Sequence, residues 1–292
     1  YLDERWGCVE MDEHQVLPVI GTKEFVADLP GQLGLGPDDL VVIPTTAYPT
    51  YDVGARLAGC RIQACDDPDE IQGRPALIWI NSPANPHGAI ASEQLLGRWI
   101  NYARANDALL AADECYGEFG WDTEPASVLR DDLCEGSTDN IVVLHSLSKR
   151  SNMAGYRAGF MAGDRGVVSE LLEVRKHSGM MMPAPVQAAM TVTLADQDHV
   201  HQQRARYLRR REVLLAALGA AGFRIDHSEG SLYLWATRGE HCRTTVDWLA
   251  ELGILVAPGD FYGEAGTRHV RVALTATDER VDTAAQRLHE AN

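Results

Sequence analysis

Lysine is nearly absent from this chain. Of 26 basic residues in 292, only Lys23, Lys149 and Lys176 are lysines, and 26 − 3 leaves 23 arginines. Where a positive charge alone is wanted, the sequence uses arginine. A retained lysine therefore points to chemistry that a guanidinium cannot perform, namely loss of a proton and formation of an imine. Net basic charge is missing too. With 42 acidic residues the formal charge is −16, so no global field draws in nucleic acid or an anionic membrane, and an anionic substrate must be met by locally placed arginines. No apolar run approaches the roughly 18 to 20 residues of a membrane span, and the start, YLDERWGCVE, has neither the basic end nor the apolar stretch of a signal peptide. A cytoplasmic protein without nucleic-acid or membrane partners is expected. The six cysteines form no CxxC pair, which removes the signature of a zinc ribbon or thioredoxin-type site and leaves reduced, mostly buried thiols as the expectation.

What is present is the alternation of an α/β enzyme. From residue 13 to about 175, short apolar runs (VLPVI, LVVIP, ALIWI, ALLAAD, NIVVLHS, GFMAG) alternate with helical patterns, one of them running from Ser92 to about Asn106. The runs are apolar enough to be buried on both faces, which predicts a mostly parallel central sheet sandwiched by helices. After Pro183 and Pro185, a long stretch reads as two helices or one kinked helix closed by Gly222. FRIDH, SLYLWAT, ILVAP and HVRVALT then read as short strands with one helix between and one after. The expected division is a large domain at 13–183, a smaller C-terminal α+β domain at 184–292, and an N-terminal remnant at 1–12.

Three segments carry chemistry. HSLSKRSNMAGYRAGF (145–160) follows a buried strand and gathers Ser146, Ser148, Lys149 and Arg157 at its carboxyl end, where open α/β sheets bind ligands. Two hydroxyls and an arginine beside an amine suit a cofactor with a phosphate at one end and an aldehyde at the other, as in pyridoxal phosphate; a surface lysine in a polar loop is the alternative. INSPANPHG (80–88) presents Asn85 before Pro86, whose peptide bond is open to the cis form. In AADECYGEF (111–119), Asp113 ends an apolar strand and is costly to bury without a cation such as a protonated pyridine nitrogen; it could also cap a turn. Tyr116 follows three residues later.

Together these segments resemble the fold-type I, class I and II aminotransferases, over about residues 16 to 280. Asn85, Asp113, Tyr116, Lys149 and Arg157 stand in that family's order, 28 residues from Asn85 to Asp113 and 36 from Asp113 to Lys149. The resemblance implies pyridoxal 5'-phosphate as cofactor, with Lys149 as the Schiff-base lysine and Asp113 on the pyridine nitrogen. Asn85 and Tyr116 would meet the ring hydroxyl, and Ser146 and Arg157 the phosphate. IGTKE resembles the family's phosphate loop, placing Gly21, Thr22 and Lys23 at a helix start. Tyr48 matches the ring that stacks on the pyridine, and Tyr51 reads as packing. Arg271 corresponds to the clamp on the substrate α-carboxylate, with Arg268 its competitor in a polar turn. The resemblance also implies a homodimer.

The phrases VLPVIGTKE, DLVVIPTTAYPTYDVGARLAG, HSLSKRSNMAGYRAGFMAGD and GMMMPAPVQAAM look most like the succinyldiaminopimelate aminotransferases of lysine biosynthesis. That likeness implies N-succinyl-2-amino-6-oxopimelate and N-succinyl-LL-diaminopimelate as the substrate pair, with glutamate as donor. The alternatives are an aminotransferase of another amino acid, a fold-type I lyase, or a non-catalytic ligand-sensing domain. Relatives carry several dozen residues, including a glycine- and proline-rich arm, before the segment matching YLDERWG; either the chain is incomplete or its site is less enclosed. No metal is expected: His199 and His201 face different sides of a helix, and Asp226, His227 and Ser228 are contiguous and cannot form a triad among themselves.

Overall fold

The six apolar runs and a seventh, largely exposed edge strand pair into one sheet: β1 (Val16–Ile20), β2 (Leu40–Ile43), β3 (Arg61–Ala64, the exposed edge), β4 (Pro75–Asn81), β5 (Leu109–Asp113), β6 (Ile141–Ser146) and β7 (Ala158–Gly163). The structure, a computed structural model, describes residues 1–291. The sheet order is β1-β7-β6-β5-β4-β2-β3. Neighbours from β3 through to β6 are parallel, whereas β7 runs against both β6 and β1. Successive side chains go to opposite faces, and both faces are covered. Leu40 and Val42 of β2 join one core and Val41 and Ile43 the other; Leu110 and Ala112 of β5 part in the same way from Leu109 and Ala111. Burial on two sides is why these strands read as continuous apolar runs.

Helices Thr22–Gln32, Thr50–Leu57 and Arg165–Ser178 cover one face, through Phe25, Leu29, Tyr51, Val168 and Leu171. Gly54 lets the first two cross closely, since a Cβ there would lie 2.7 Å from the Ala27 carbonyl oxygen. Helix Glu93–Ala105 covers the other face. The Ser92 hydroxyl accepts the Leu95 N–H at 3.2 Å to cap it, and Leu96, Trp99, Ile100 and Ala103 form its buried stripe at 3.6-residue spacing. The stretch after Pro183 is two helices, Ala184–Ala195 and Asp198–Ala220. The first carries Met190 into the core of the large sheet. Packing thus joins that helix to the core of the large sheet.

The remaining strands, β8 (Arg224–Asp226), β9 (Tyr233–Thr237), β10 (Ala257–Pro258) and β11 (Val270–Ala273), form an antiparallel sheet in the order β10-β11-β9-β8. Leu214, Leu218, Leu234, Val270, Val281 and Leu288 build its own core, which Tyr116 and Phe119 enter from the segment after β5. In the large sheet the register pairs Asn81 with Asp113 and Asp113 with Leu144. The carboxyl ends of β4, β5 and β6 therefore share one rim, and the small sheet reaches that rim through Arg271 and Tyr233.

Candidate active site

At this rim lies a cavity of about 340 Å3, lined by all but one of the residues expected from sequence: Thr22, Lys23, Tyr48, Asn85, Asp113, Tyr116, Ser146, Lys149, Arg157 and Arg271. Gly21 is the exception, bordering the cavity instead of lining it. It holds φ +74°, and a Cβ there would fall 2.1 Å from an Nη of Arg157. The glycine is thus what lets the Arg157 guanidinium close over the start of helix Thr22–Gln32, which has no side-chain cap. First-turn amides of such a helix are left for an anion.

Asp113 is buried at the end of β5 and accepts two hydrogen bonds. Tyr51 Oη donates to Oδ2 at 2.8 Å and the Cys115 N–H donates to Oδ1 at 3.1 Å. The turn-capping role open from sequence is therefore real, and it coexists with a carboxylate facing the cavity. Tyr51 does more than pack. Its ring stacks on Trp79 with centroids 5.0 Å apart, and burial, followed by the nearby Asp113 charge, pushes its hydroxyl well above the usual phenol range. Tyr51 consequently keeps its proton and donates it to Asp113.

Asn81 fixes the next segment. Its amide donates to the Asp113 carbonyl at 2.7 Å, and its Oδ1 accepts the Asn85 N–H at 2.7 Å. The Ser82–Pro83 and Asn85–Pro86 bonds are both cis. Asn85 Oδ1 then accepts from Arg271 Nη1 at 2.8 Å, a contact between residues 186 apart in sequence. The Arg271 guanidinium lies over Tyr233, 4.0 Å from Cζ to ring centre, and 5.1 Å from the ring centre of Tyr262. Its Nε is buried without a partner. Arg268, the competing clamp, turns to the Gly239 carbonyl and does not line the cavity.

Lys149 sits on the short helix Leu147–Arg150, whose start is capped by Ser146 Oγ accepting the Ser148 N–H at 3.2 Å. Buried Arg150 anchors the far end, donating to Glu118 and to the Thr193 carbonyl. The three lysines differ in their engagement. Lys176 pairs with Glu173 at 2.5 Å on an exposed helix face, and Lys23 lies 5.8 Å from the ring centre of Tyr48. Lys149 lines the cavity and makes no ion pair among the described residues.

Sequence reading missed Tyr233 and Cys115. Tyr233 Oη lies 2.8 Å from Tyr116 Oη, and the Cys115 thiol donates to Thr22 Oγ1 at 3.3 Å. Burial holds the Cys115 thiol well above its ordinary range, so it lines the site as a neutral group. All six cysteines are free, and the other five are buried. A second cavity of about 650 Å3 shares Asn85 and is walled by Trp79, Trp99 and Trp235, with His87, His227 and His269. Burial, and then His227, pushes His87 down to about 4, so it is neutral there at physiological pH. One group of metal-type donors, His241, Cys242 and Asp260, occurs among the described residues, and both oxygens of its Asp260 are engaged by Arg243. Among the described residues no helix is long and apolar enough to cross a membrane.

Comparison with known proteins places this geometry. The family model described as "Aminotransferase class I and II" matches residues 4–288. The chain is 57% identical over 288 residues to "Probable aminotransferase Rv1178" of Mycobacterium tuberculosis, covering 98% of this chain and 69% of that protein. It is 54% identical over 289 residues to the 4-dedimethylamino-4-oxo-anhydrotetracycline transaminase OxyQ of Streptomyces rimosus, covering 99% and 80%. Among solved structures, the "probable N-succinyldiaminopimelate aminotransferase" of Thermus thermophilus superposes with TM-score 0.89 at 28% identity, over 99% of this chain and 81% of that one.

Proposed function

The chain belongs to the class I and II aminotransferases, and on that footing we propose that it uses pyridoxal 5'-phosphate to move an amino group between an amino acid and a 2-oxo acid. The observation that carries this reading is the convergence of the Lys149 amine, which makes no ion pair among the described residues, the buried Asp113 carboxylate and the Arg271 guanidinium on one cavity. The residues fit the cofactor. Asp113 has no cationic side-chain partner among the described residues, as expected of an acid reserved for a protonated ring nitrogen. The uncapped helix start, Ser146, Ser148 and Arg157 make a polar end for a phosphate, in a cradle that a Cβ on Gly21 would fill.

When bound, the cofactor supplies an electron sink for charge developing at the substrate α-carbon. The protein's residues do the rest. Lys149 would tether the cofactor and, as a free amine, would hold and move the proton of the substrate α-carbon, serving as general base and then acid. Asp113, held by Tyr51 and the Cys115 amide, keeps the ring nitrogen protonated, an electrostatic contribution aimed at the transient negative charge. Arg271 and Asn85 would orient the α-carboxylate, and Tyr48 would stand beside the cofactor ring.

For the substrate, we propose N-succinyl-2-amino-6-oxopimelate with N-succinyl-LL-diaminopimelate, and glutamate as the opposite donor. The sequence phrases and the Thermus thermophilus structure support it. A second reading, a bulky cyclic ketone of the kind in the OxyQ name, is favoured by the higher identity to that relative and by the large tryptophan-walled cavity sharing Asn85. A cytoplasmic homodimer completes the proposal, to be checked by sizing with light scattering; a strictly monomeric, fully active protein contradicts it. The substrate test is the absorbance of protein reconstituted with pyridoxal phosphate, during addition of single amino donors and then single keto acids. A glutamate-driven change reversed by the succinylated keto acid supports the first reading. Reversal by the cyclic ketone alone supports the second, and release of ammonia or pyruvate without any acceptor marks a lyase.

A further inference from the structure

Tyr233 opens β9 and is buried at the junction of the two sheets. In the β9–β11 register it pairs with Ala273, while Arg271 pairs with Trp235, so Tyr233 and Arg271 are diagonal neighbours. The Arg271 guanidinium lies over the Tyr233 ring, with Cζ 4.0 Å from its centre. At its other end the Tyr233 hydroxyl meets that of Tyr116 at 2.8 Å, with the two rings edge to face at 5.6 Å. One small-sheet side chain thus touches both the residue beside the cofactor and the residue that holds the substrate carboxylate.

Either oxygen of the hydroxyl pair can be the donor. Each phenol has one proton to give, and burial pushes the Tyr116 hydroxyl well above its ordinary range, so it stays protonated. One proton is consumed between the two oxygens. Both tyrosines line the cavity, and Tyr116 is the one that would serve the cofactor's ring oxygen in the reading above; the arrangement that frees its proton for that bond has Tyr233 as the donor within the pair. A hydroxyl that accepts a hydrogen bond becomes the stronger donor.

We propose that Tyr233 is a positioning residue: its hydroxyl donates to Tyr116 so that the Tyr116 proton faces the cavity, and its ring seats Arg271 against Asn85. The inference rests on the cofactor reading above. It predicts two separable effects, one on the electronic state of the bound cofactor and one on carboxylate binding.

The test uses full-length holoenzyme and five forms: wild type, Tyr116→Phe, Tyr233→Phe, Tyr233→Leu and the Tyr116→Phe/Tyr233→Phe double variant. One readout is the pH midpoint of the visible absorbance of the Lys149-bound cofactor; the other is KM for amino donor and keto acid separately. A donor at Tyr116 draws charge from the cofactor's ring oxygen and weakens its hold on the proton of the lysine nitrogen, so its loss raises the midpoint. Tyr116→Phe is expected to raise it. Tyr233→Phe is expected to raise it less, by about 0.3 to 1 pH unit, the size of a cooperative increment, with KM within about twofold since the ring remains. The double variant should match Tyr116→Phe alone. Tyr233→Leu should show the Tyr233→Phe midpoint and raise both KM values about 5- to 30-fold, the worth of a partly buried cation–π contact. An unmoved midpoint in Tyr233→Phe, or additive shifts in the double variant, overturns the inference while leaving the cofactor reading intact. An unmoved midpoint in Tyr116→Phe overturns the reading of Tyr116 and the inference with it.

Discussion

Arg271→Ala should weaken both half-reactions alike. Nη1 of Arg271 is engaged by Asn85 Oδ1 at 2.8 Å, and Nε is buried without a partner in the protein. Nε and Nη2 therefore keep their hydrogen-bonding capacity among the described residues, two parallel donors spaced for one carboxylate. Every amino donor and every 2-oxo acid carries an α-carboxylate, so the loss cannot depend on the side chain. A bidentate charged contact in a partly desolvated site contributes about 2 to 4 kcal/mol, which is about 30- to 1000-fold in kcat/KM. Arg271→Lys should recover only part, because an ammonium cannot reproduce the fork that lies over Tyr233 and Tyr262. The control is Arg268→Ala, whose guanidinium faces the Gly239 carbonyl and should be near neutral. The assay is kcat/KM for donor and acceptor in separate single-turnover half-reactions. A loss confined to one substrate, or a shared loss in Arg268→Ala with Arg271→Ala unaffected, would refute the assignment.

Asp113→Asn should retain cofactor by difference spectroscopy yet lose at least about 100-fold in turnover, roughly 3 kcal/mol of charge stabilisation; unchanged turnover reduces Asp113 to its bond with the Cys115 amide. Tyr51→Phe keeps the stack on Trp79 but removes the 2.8 Å donor to Asp113, so it should cost about 1.5 to 3 kcal/mol in urea unfolding along with a fall in turnover. Equal stability and activity would make the hydroxyl dispensable. Gly54→Ala places a Cβ 2.7 Å and 2.8 Å from the carbonyl oxygens of Ala27 and Val26, and should lower stability by about 1 to 3 kcal/mol with KM unchanged; a variant with undiminished Tm would show that the two helices part freely.

The layered fold was legible because two-sided burial writes itself as apolar runs, and the helix at Glu93–Ala105 because Ser92 and the Leu96-Trp99-Ile100-Ala103 stripe are local signals. Strand direction was not legible: GFMAG is as apolar as its neighbours, and only the pairing with Ser146 and Ile20 shows that β7 runs backwards. Helix Ala184–Ala195 follows a proline pair that punctuates the chain, and its packing through Met190 against the large sheet is a long-range contact that no local signal records. Within the site, residues in known motifs were found where they stand. Tyr51, Cys115 and Tyr233 escaped because their roles come from contacts across 62, 93 and 117 positions, which no local pattern records.

The central claim is that Lys149 binds the cofactor. Borohydride reduction of protein incubated with pyridoxal phosphate, followed by peptide mass mapping, reads that bond directly. We expect the reduced adduct on the peptide carrying Lys149, its disappearance when an amino donor is added before reduction, and none in Lys149→Arg, with folding unchanged by circular dichroism. An adduct on Lys23 or Lys176 instead, or one on Lys149 that no amino donor displaces, would contradict the account.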